Sequence, residues 1–273
     1  MKNVGIVEKL NGYTSSASEV RSNLKNLFSK LSKEHDLLIE AYDEKSRSRD
    51  FYDFLISVGG DGTMIAASKI SAWRGIPVVG INLGNVGFIT SLEANSCKSQ
   101  LIKILQGQYE IERRSLLSLH DTNILALNDI LIQRSSGTLI EFEVYIDNCF
   151  AYSSRADGVL IATPSGSTAY SLSAGGPIIH PSAKVLEITP LLPQTLSNKS
   201  IVVPDDSTID IIVNKSRSVF IDGQLIDFSE NKITVKKSID MEAKFALPQG
   251  YRATGAYYNG LRSKLHWQQE HGK

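Results

Sequence analysis

Two hydrophobic periods share this chain, and they change over near Gly107. Before that point, short β-branched runs alternate with segments whose apolar residues recur every three or four positions. Val4–Val7, Leu37–Tyr42, Phe54–Val58 and Pro77–Ile81 read as strands. Ala17, Val20, Leu24, Leu27, Phe28 and Leu31 mark a helix, with Ser16 and Glu19 spaced as a capping box. Thr63–Ala72 reads as a second helix. A third opens at Asn95, with Leu101, Ile104 and Leu105 facing inward. Strands alternating with helices give a mostly parallel sheet covered on both faces.

Beyond Gly107 the period becomes two. Ile140, Phe142, Val144 and Ile146 alternate with Glu141, Glu143, Tyr145 and Asp147, the mark of a strand with one wet face. Leu125–Ile132, Val159–Ala162, Ile201–Val203, Ile209–Val213, Val219–Ile221 and Lys232–Val235 are further strand candidates. Turn signals such as Asn214-Lys215-Ser216 and Asp222-Gly223 separate them. The second half therefore reads as an antiparallel β domain. A length of 273 residues suits two domains.

Charge and cysteine content narrow the function. Formal net charge is zero, so broad attraction to nucleic acid or to an anionic membrane is not expected. Cys97 and Cys149 make neither a disulfide framework nor a zinc spacing, and a reducing compartment fits. The first eight residues lack the apolar run of a signal peptide, and no stretch approaches the ~20 apolar residues of a membrane span. A cytoplasmic location is expected.

Three segments carry the chemistry. The first is Ser57-Val58-Gly59-Gly60-Asp61-Gly62-Thr63, between a buried strand and a helix. Glycines let the backbone approach a ligand, and the helix-start amides face an anion. Asp61 adds negative charge there. That makes sense if it holds a divalent cation or accepts a hydroxyl proton; the plain alternative is a tight turn with an aspartate in solvent. The second is Gly80-Ile81-Asn82-Leu83-Gly84-Asn85-Val86-Gly87-Phe88, at the same carboxyl edge of the sheet, where open α/β sheets bind ligands. The third runs from Arg155 to Pro177 and is dense in glycine and hydroxyl residues, with Tyr170 as its one aromatic. It could surround a polar planar ligand, or be a Ser/Thr-rich connection with one helical turn. Neither a P-loop nor a G-x-G-x-x-G dinucleotide fingerprint is present.

These segments, with Asn128-Asp129, resemble the bacterial NAD kinase family in order and spacing from Gly5 to about Trp267. The Gly-Gly-Asp-Gly element alone is shared with diacylglycerol and sphingosine kinases, and more loosely with phosphofructokinases. The Thr163–Pro177 block is the specific part. The resemblance implies an α/β plus all-β fold: an α/β nucleotide-binding domain over 1–110, a β-sandwich NAD-binding domain over 111–250, and a segment 251–273 returning to the first domain, with the site between the domains. It implies transfer of the γ-phosphoryl group of ATP, or polyphosphate, to the 2′-hydroxyl of the adenosine ribose of NAD. It further implies a divalent metal, usually Mg²⁺, and a homo-oligomer, commonly a tetramer.

By the same resemblance Asp61 is the proton acceptor, and Gly59, Gly60, Gly62 and Thr63 form the phosphate-binding loop. Phe88 contacts the adenine end, and Asn128 and Asp129 bind the ribose. Asp157, with Arg155 close by, binds the nicotinamide amide from a neighbouring subunit. Thr168, Ala169, Tyr170, Ser171, Leu172 and Ser173 line the dinucleotide pocket, with Gln224 and Thr138 completing it. Asp129, Ser165, Gln194 and Ser200 stand where Glu, Thr, His and Pro are common. A lipid kinase would need an acyl cleft, and no basic amphipathic helix supplies a membrane face. A silent dinucleotide sensor would keep the pocket without the chemistry.

Overall fold

The structure is a computed structural model and describes residues 2–8, 15–43, 50–83, 87–120, 122–213, 216–251 and 255–267. The chain divides into two compact units, Met1–Arg113 with Ala243–Lys273, and Arg114–Glu242.

In chain order the first unit opens with β1 (Lys2–Glu8), α1 (Ser15–Glu34), β2 (Leu37–Ala41), β3 (Phe54–Gly59), α2 (Asp61–Arg74), β4 (Pro77–Asn82), the two-residue β5 (Leu92–Glu93) and α3 (Lys98–Leu105). β6 (Tyr109–Leu119) runs into the second unit. There follow β7 (Leu125–Ala126), β8 (Asp129–Arg134), β9 (Ile140–Ile146), β10 (Cys149–Ala156), β11 (Gly158–Ala162), α4 (Tyr170–Ser173), β12 (Val185–Leu191), β13 (Ile201–Pro204), β14 (Ile209–Val213), β15 (Arg217–Ile221), β16 (Gln224–Ile226) and β17 (Lys232–Pro248). β17 carries the chain back to the first unit, which α5 (Ala256–Lys264) completes.

In the first unit the parallel order is β2-β1-β3-β4, and Lys244 and Phe245 of β17 pair with Pro77 and Val78 of β4. β3 is buried along its whole length, as a central parallel strand should be. Leu24, Phe28 and Leu31 of α1 and Leu101, Ile104 and Leu105 of α3 join one core with Val4, Ile56, Val79 and Ile81. The chain leaves β1 towards β2 and leaves β3 towards β4. The order therefore reverses between β1 and β3, the switch point at which open α/β sheets bind ligands.

In the second unit β13-β12-β11-β8-β15-β16 form an antiparallel sheet. β10, β9, β14 and the Lys232–Val235 stretch of β17 form another. Ile130, Ile132, Ile161 and Ile188 of the first interleave with Phe142, Val144, Ile209, Ile211 and Ile233 of the second in one core, making a β-sandwich. Two-residue turns at Asp147-Asn148 (φ 51° and 65°) and Asp222-Gly223 (φ 49° and 78°) close hairpins, the positive φ pair matching strand twist. The other face of the first sheet carries a smaller apolar cluster, Leu131, Leu160, Ala162 and Leu191, beneath Ala174 and Phe220.

Several elements differ from the sequence reading. α2 starts two residues earlier, which puts Asp61 in its first turn. α3 starts at Lys98 rather than Asn95, after a turn in which the Ser96 amide donates to the Glu93 carbonyl. The strand expected over Leu125–Ile132 is two strands, because Leu127 and Asn128 give their amides to the Asp222 carboxylate and not to a ladder. β17 runs 17 residues, well past Val235, through the polar stretch 236–242. The units change over at 113/114 and 242/243, within β6 and β17, where the expected bounds were 110 and 250. The Ser16 side chain of the expected capping box lies outside the described residues.

Candidate functional site

Gly59 closes β3 and Gly60 is the N-cap of α2, so Asp61, Gly62 and Thr63 form the helix's first turn. No side chain caps this end, and the first amides of a helix lack intrahelical partners, which leaves a cradle for an anion. A Cβ added at Gly60 or Gly62 would meet no atom of the described residues within 4 Å. The Asp61 carboxylate accepts the Phe88 amide at 2.8 Å and the Ile89 amide at 3.3 Å. Gly87 must be glycine for this approach, because a Cβ there would stand 1.8 Å from Asp61 Oδ1. A carboxylate has about four acceptor positions, so Asp61 keeps capacity for a further donor. Gly84, Asn85 and Val86 of the second glycine loop lie outside the described residues.

Lys264, which the sequence reading did not single out, donates to the Gly87 carbonyl and lies 4.1 Å from the centroid of the Phe88 ring. Burial pulls its ammonium down to about 8, against the opposing attraction of Asp61. A lysine 177 positions from its partner gives no local signal.

In the second unit Asn128 and Asp129 are both buried, at the start of β8. The Asp222 carboxylate fixes them by accepting the amides of Leu127 (3.1 Å), Asn128 (2.7 Å) and Asp129 (3.3 Å). On the other side the Thr163 amide donates to the Asn128 carbonyl at 2.9 Å, and Thr163 Oγ1 to the Leu127 carbonyl at 2.6 Å. Asn128 Oδ1 is buried with no hydrogen-bond partner among the described residues. An orphaned acceptor costs about 1–3 kcal/mol and is a place for a ligand donor. Asp222→Ala strips three charge-assisted bonds from 127–129, so an unfolding titration should show a loss of about 3 kcal/mol. Asp222→Asn, which keeps one acceptor, should fall between that variant and the wild type.

The hydroxyl-rich block forms a 3₁₀ turn, Ser165–Thr168, and then α4. Thr168, Ala169 and Leu172 are half-buried, and Ser171 is buried. The Tyr170 ring is 46% exposed and free to stack. Tyr170 and Ser173 join Asp157 along a cleft of about 470 Å³ that Leu191 and Leu192 also line. Asp157 is paired there with Arg134 (Nε–Oδ1 2.7 Å), a partner the sequence reading missed. Thr138 and Gln224 are exposed, and Arg155 pairs with Glu141 at 3.1 Å. These three are not among the described residues that line the cleft.

Beneath α4 sits Glu187 of β12, with no exposed surface. Its Oε1 accepts Ser171 Oγ at 2.7 Å and Thr189 Oγ1 at 2.5 Å, while Oε2 has no partner. Burial pushes this carboxyl above the ordinary 4.5, outweighing the two hydroxyls that lower it. A raised folded-state value means the contribution of Glu187 to stability is complete below the unfolded value and is lost as pH rises through the folded one. Glu187→Gln should therefore melt a few degrees above the wild type at pH 8 and level with it at pH 4, read by thermal unfolding across pH.

An α/β unit with a helix start that no described side chain caps beside a carboxylate, and an antiparallel unit with a polar cleft and a buried acceptor lacking a described partner, are the equipment of a nucleotide-binding enzyme. Residues 7–109 match the ATP-NAD kinase N-terminal domain, and residues 127–241 match the ATP-NAD kinase C-terminal domain. The NAD kinase of Chromobacterium violaceum is 39% identical over 226 residues, covering 79% of this chain and 76% of that protein. The NAD kinase of Pseudomonas putida (strain W619) is 40% identical over 229 residues, with the same coverage. The NAD kinase from Archaeoglobus fulgidus in complex with ATP superposes with a TM-score of 0.78 at 27% identity, covering 94% of this chain and 99% of that one. Yeast NADH kinase complexed with NADH shares the fold, with a TM-score of 0.82 at 23% identity over 100% of this chain and 90% of that one. The chain belongs to the NAD kinase family.

Proposed function

We propose that this chain transfers the γ-phosphoryl group of ATP to the 2′-hydroxyl of the adenosine ribose of NAD, giving NADP and ADP. The observation that carries the reading is the Asp61 carboxylate, held by two backbone amides in the first turn of a helix that no described side chain caps. The ribose O–H proton passes to Asp61 as its oxygen bonds to the γ-phosphorus, and the bond to the β-phosphate oxygen breaks. A positioned base gives about 10²–10⁴-fold, and alignment with charge neutralisation gives the rest.

Gly59, Gly60, Gly62 and Thr63 form the loop that takes the phosphates at the start of α2. Phe88 packs on the adenine. Asn128 Oδ1, buried and without a donor among the described residues, accepts from a ribose hydroxyl, and Asp129 holds the ribose through its carboxylate. Tyr170 stacks on the dinucleotide, with Thr168, Ala169, Ser171, Leu172 and Ser173 as its setting. Asp157 takes the nicotinamide amide, with Arg155, Thr138 and Gln224 at the margin.

Among the described residues no three His, Cys, Asp or Glu side chains gather to cage a metal ion. Mg²⁺ is ordinarily held by one or two carboxylates together with substrate phosphates, so it would arrive on the triphosphate and neutralise charge on the γ-phosphoryl oxygens. No helix among the described residues is long and apolar enough to cross a membrane. A cytoplasmic homotetramer acting on NAD and ATP, with polyphosphate as an alternative donor, completes the reading.

The test is NADP formation from NAD, ATP and Mg²⁺ by the purified protein, read through an NADP-specific dehydrogenase. Turnover supports the kinase. Measurable NAD binding with no NADP from ATP, other nucleotides or polyphosphate would overturn it in favour of a dinucleotide sensor.

A further inference from the structure

The C-terminal helix α5 brings a cation to the loop that holds Asp61. Lys264 Nζ donates to the Gly87 carbonyl and stands 4.1 Å from the centroid of the Phe88 ring. The Phe88 and Ile89 amides of the same three residues donate to the two Asp61 oxygens. Residues 87–89 are thus held by both an ammonium and a carboxylate. Gly87 closes the grip, since its Cα lies so near Asp61 that a Cβ would overlap the carboxylate.

A lysine in this place is costly. Its stem could carry the ammonium out to water, as most surface lysines do. Here the head is turned inward, and desolvation weakens its hold on the proton. Packing alone would be served as well by methionine or leucine, without that cost. The charge itself has a use: the Gly87 carbonyl and the Phe88 π-face both offer it electron density.

We infer that Lys264 is a positioning residue, which holds the 87–89 segment so that the Phe88 and Ile89 amides stay on Asp61 and the Phe88 ring stays in place for the adenine. Its consequence for turnover rests on the kinase reading of Asp61; its effect on the loop does not. The charged group acting on Lys264 from a packed element is Asp61 of α2, while on α5 itself Arg262 turns to Asn259. The ammonium has to be protonated to grip, so the hold fails as pH climbs past about 8.

Lys264→Met and Lys264→Arg, compared with the wild type, test this. In Lys264→Met, kcat/KM for NAD should fall by about 10²-fold, the cost of a misplaced reacting group, while KM for ATP holds. Lys264→Arg should recover most of the loss and move the alkaline limb of the wild-type pH profile to higher pH. Amide hydrogen exchange at Phe88 and Ile89 should quicken in Lys264→Met and stay slow in Lys264→Arg. Wild-type exchange and wild-type kinetics in Lys264→Met would overturn the inference. So would equal losses in both variants with KM for ATP and KM for NAD rising together. If the wild type itself makes no NADP, the kinase reading falls, and the exchange rates alone decide the role of Lys264.

Discussion

Asp61→Asn should lower kcat for NADP formation by about 10²–10⁴ while the protein stays folded and still binds NAD. The substitution changes little in size. The amide oxygen can still accept one of the two backbone donors, from Phe88 or Ile89. The amide nitrogen then faces the other donor, a mismatch of about 1–3 kcal/mol confined to the turn. What disappears is the carboxylate proposed to take the ribose proton. Steady-state rates at saturating NAD and ATP, with an NAD titration beside them, separate chemistry from binding. A variant that turns over like the wild type would remove Asp61 from the proton transfer and leave positioning as its sole part.

Gly166→Ala should cost more than any conservative substitution on a loop has a right to. The new Cβ would lie 2.0 Å from the Asn128 carbonyl oxygen, 2.5 Å from its carbon and 2.8 Å from its Cα. All three are backbone atoms. They cannot yield, because Thr163 already bonds Leu127 and Asn128 from one side and Asp222 holds them from the other. Ordinary overpacking costs about 1–3 kcal/mol. Here the 3₁₀ turn has to part from β8, and a loss of about 4 kcal/mol, with a Tm lower by about 10 °C, is the expected result. NAD affinity should fall with it, since the parted strand carries Asn128 and Asp129. Gly62→Ala is the contrast: no atom of the described residues lies within 4 Å of a Cβ there, so Tm should hold. Equal melting of Gly166→Ala and wild type would show that the turn is not clamped.

What the sequence disclosed was short-range. The run from Ser57 to Thr63 betrays its strand, turn and helix within seven residues, because backbone conformation is chosen locally. Ile140–Ile146 alternates in the chain as it alternates between core and solvent in the fold. The Asp222-Gly223 turn announces itself as a dipeptide. The second duty of Asp222, three amides some 93 to 95 positions away, has no signature, and it splits a run that looks like one continuous strand. Glu187 sits where a strand facing apolar neighbours asks for a hydrophobic residue, and its reason, Ser171, is 16 positions back. Arg134 and Lys264 were hidden for the same cause: a charged residue earns notice only beside its partner, and folding supplies the partner. The site was legible where chemistry is carried by contiguous backbone and illegible where long-range side chains hold that backbone in place.

The route of β17 sets an order of events during synthesis. Residues 243–267 belong to the first unit yet leave the ribosome only after the whole second unit has been made. Until then the Pro77–Val78 end of β4 waits for Lys244 and Phe245, an apolar strand with an open edge of the kind that recruits other chains. The grip of Lys264 on the Asp61 loop comes later still. A nascent chain can thus hold a complete sandwich and most of an α/β sheet before α5 has reached the loop that holds Asp61.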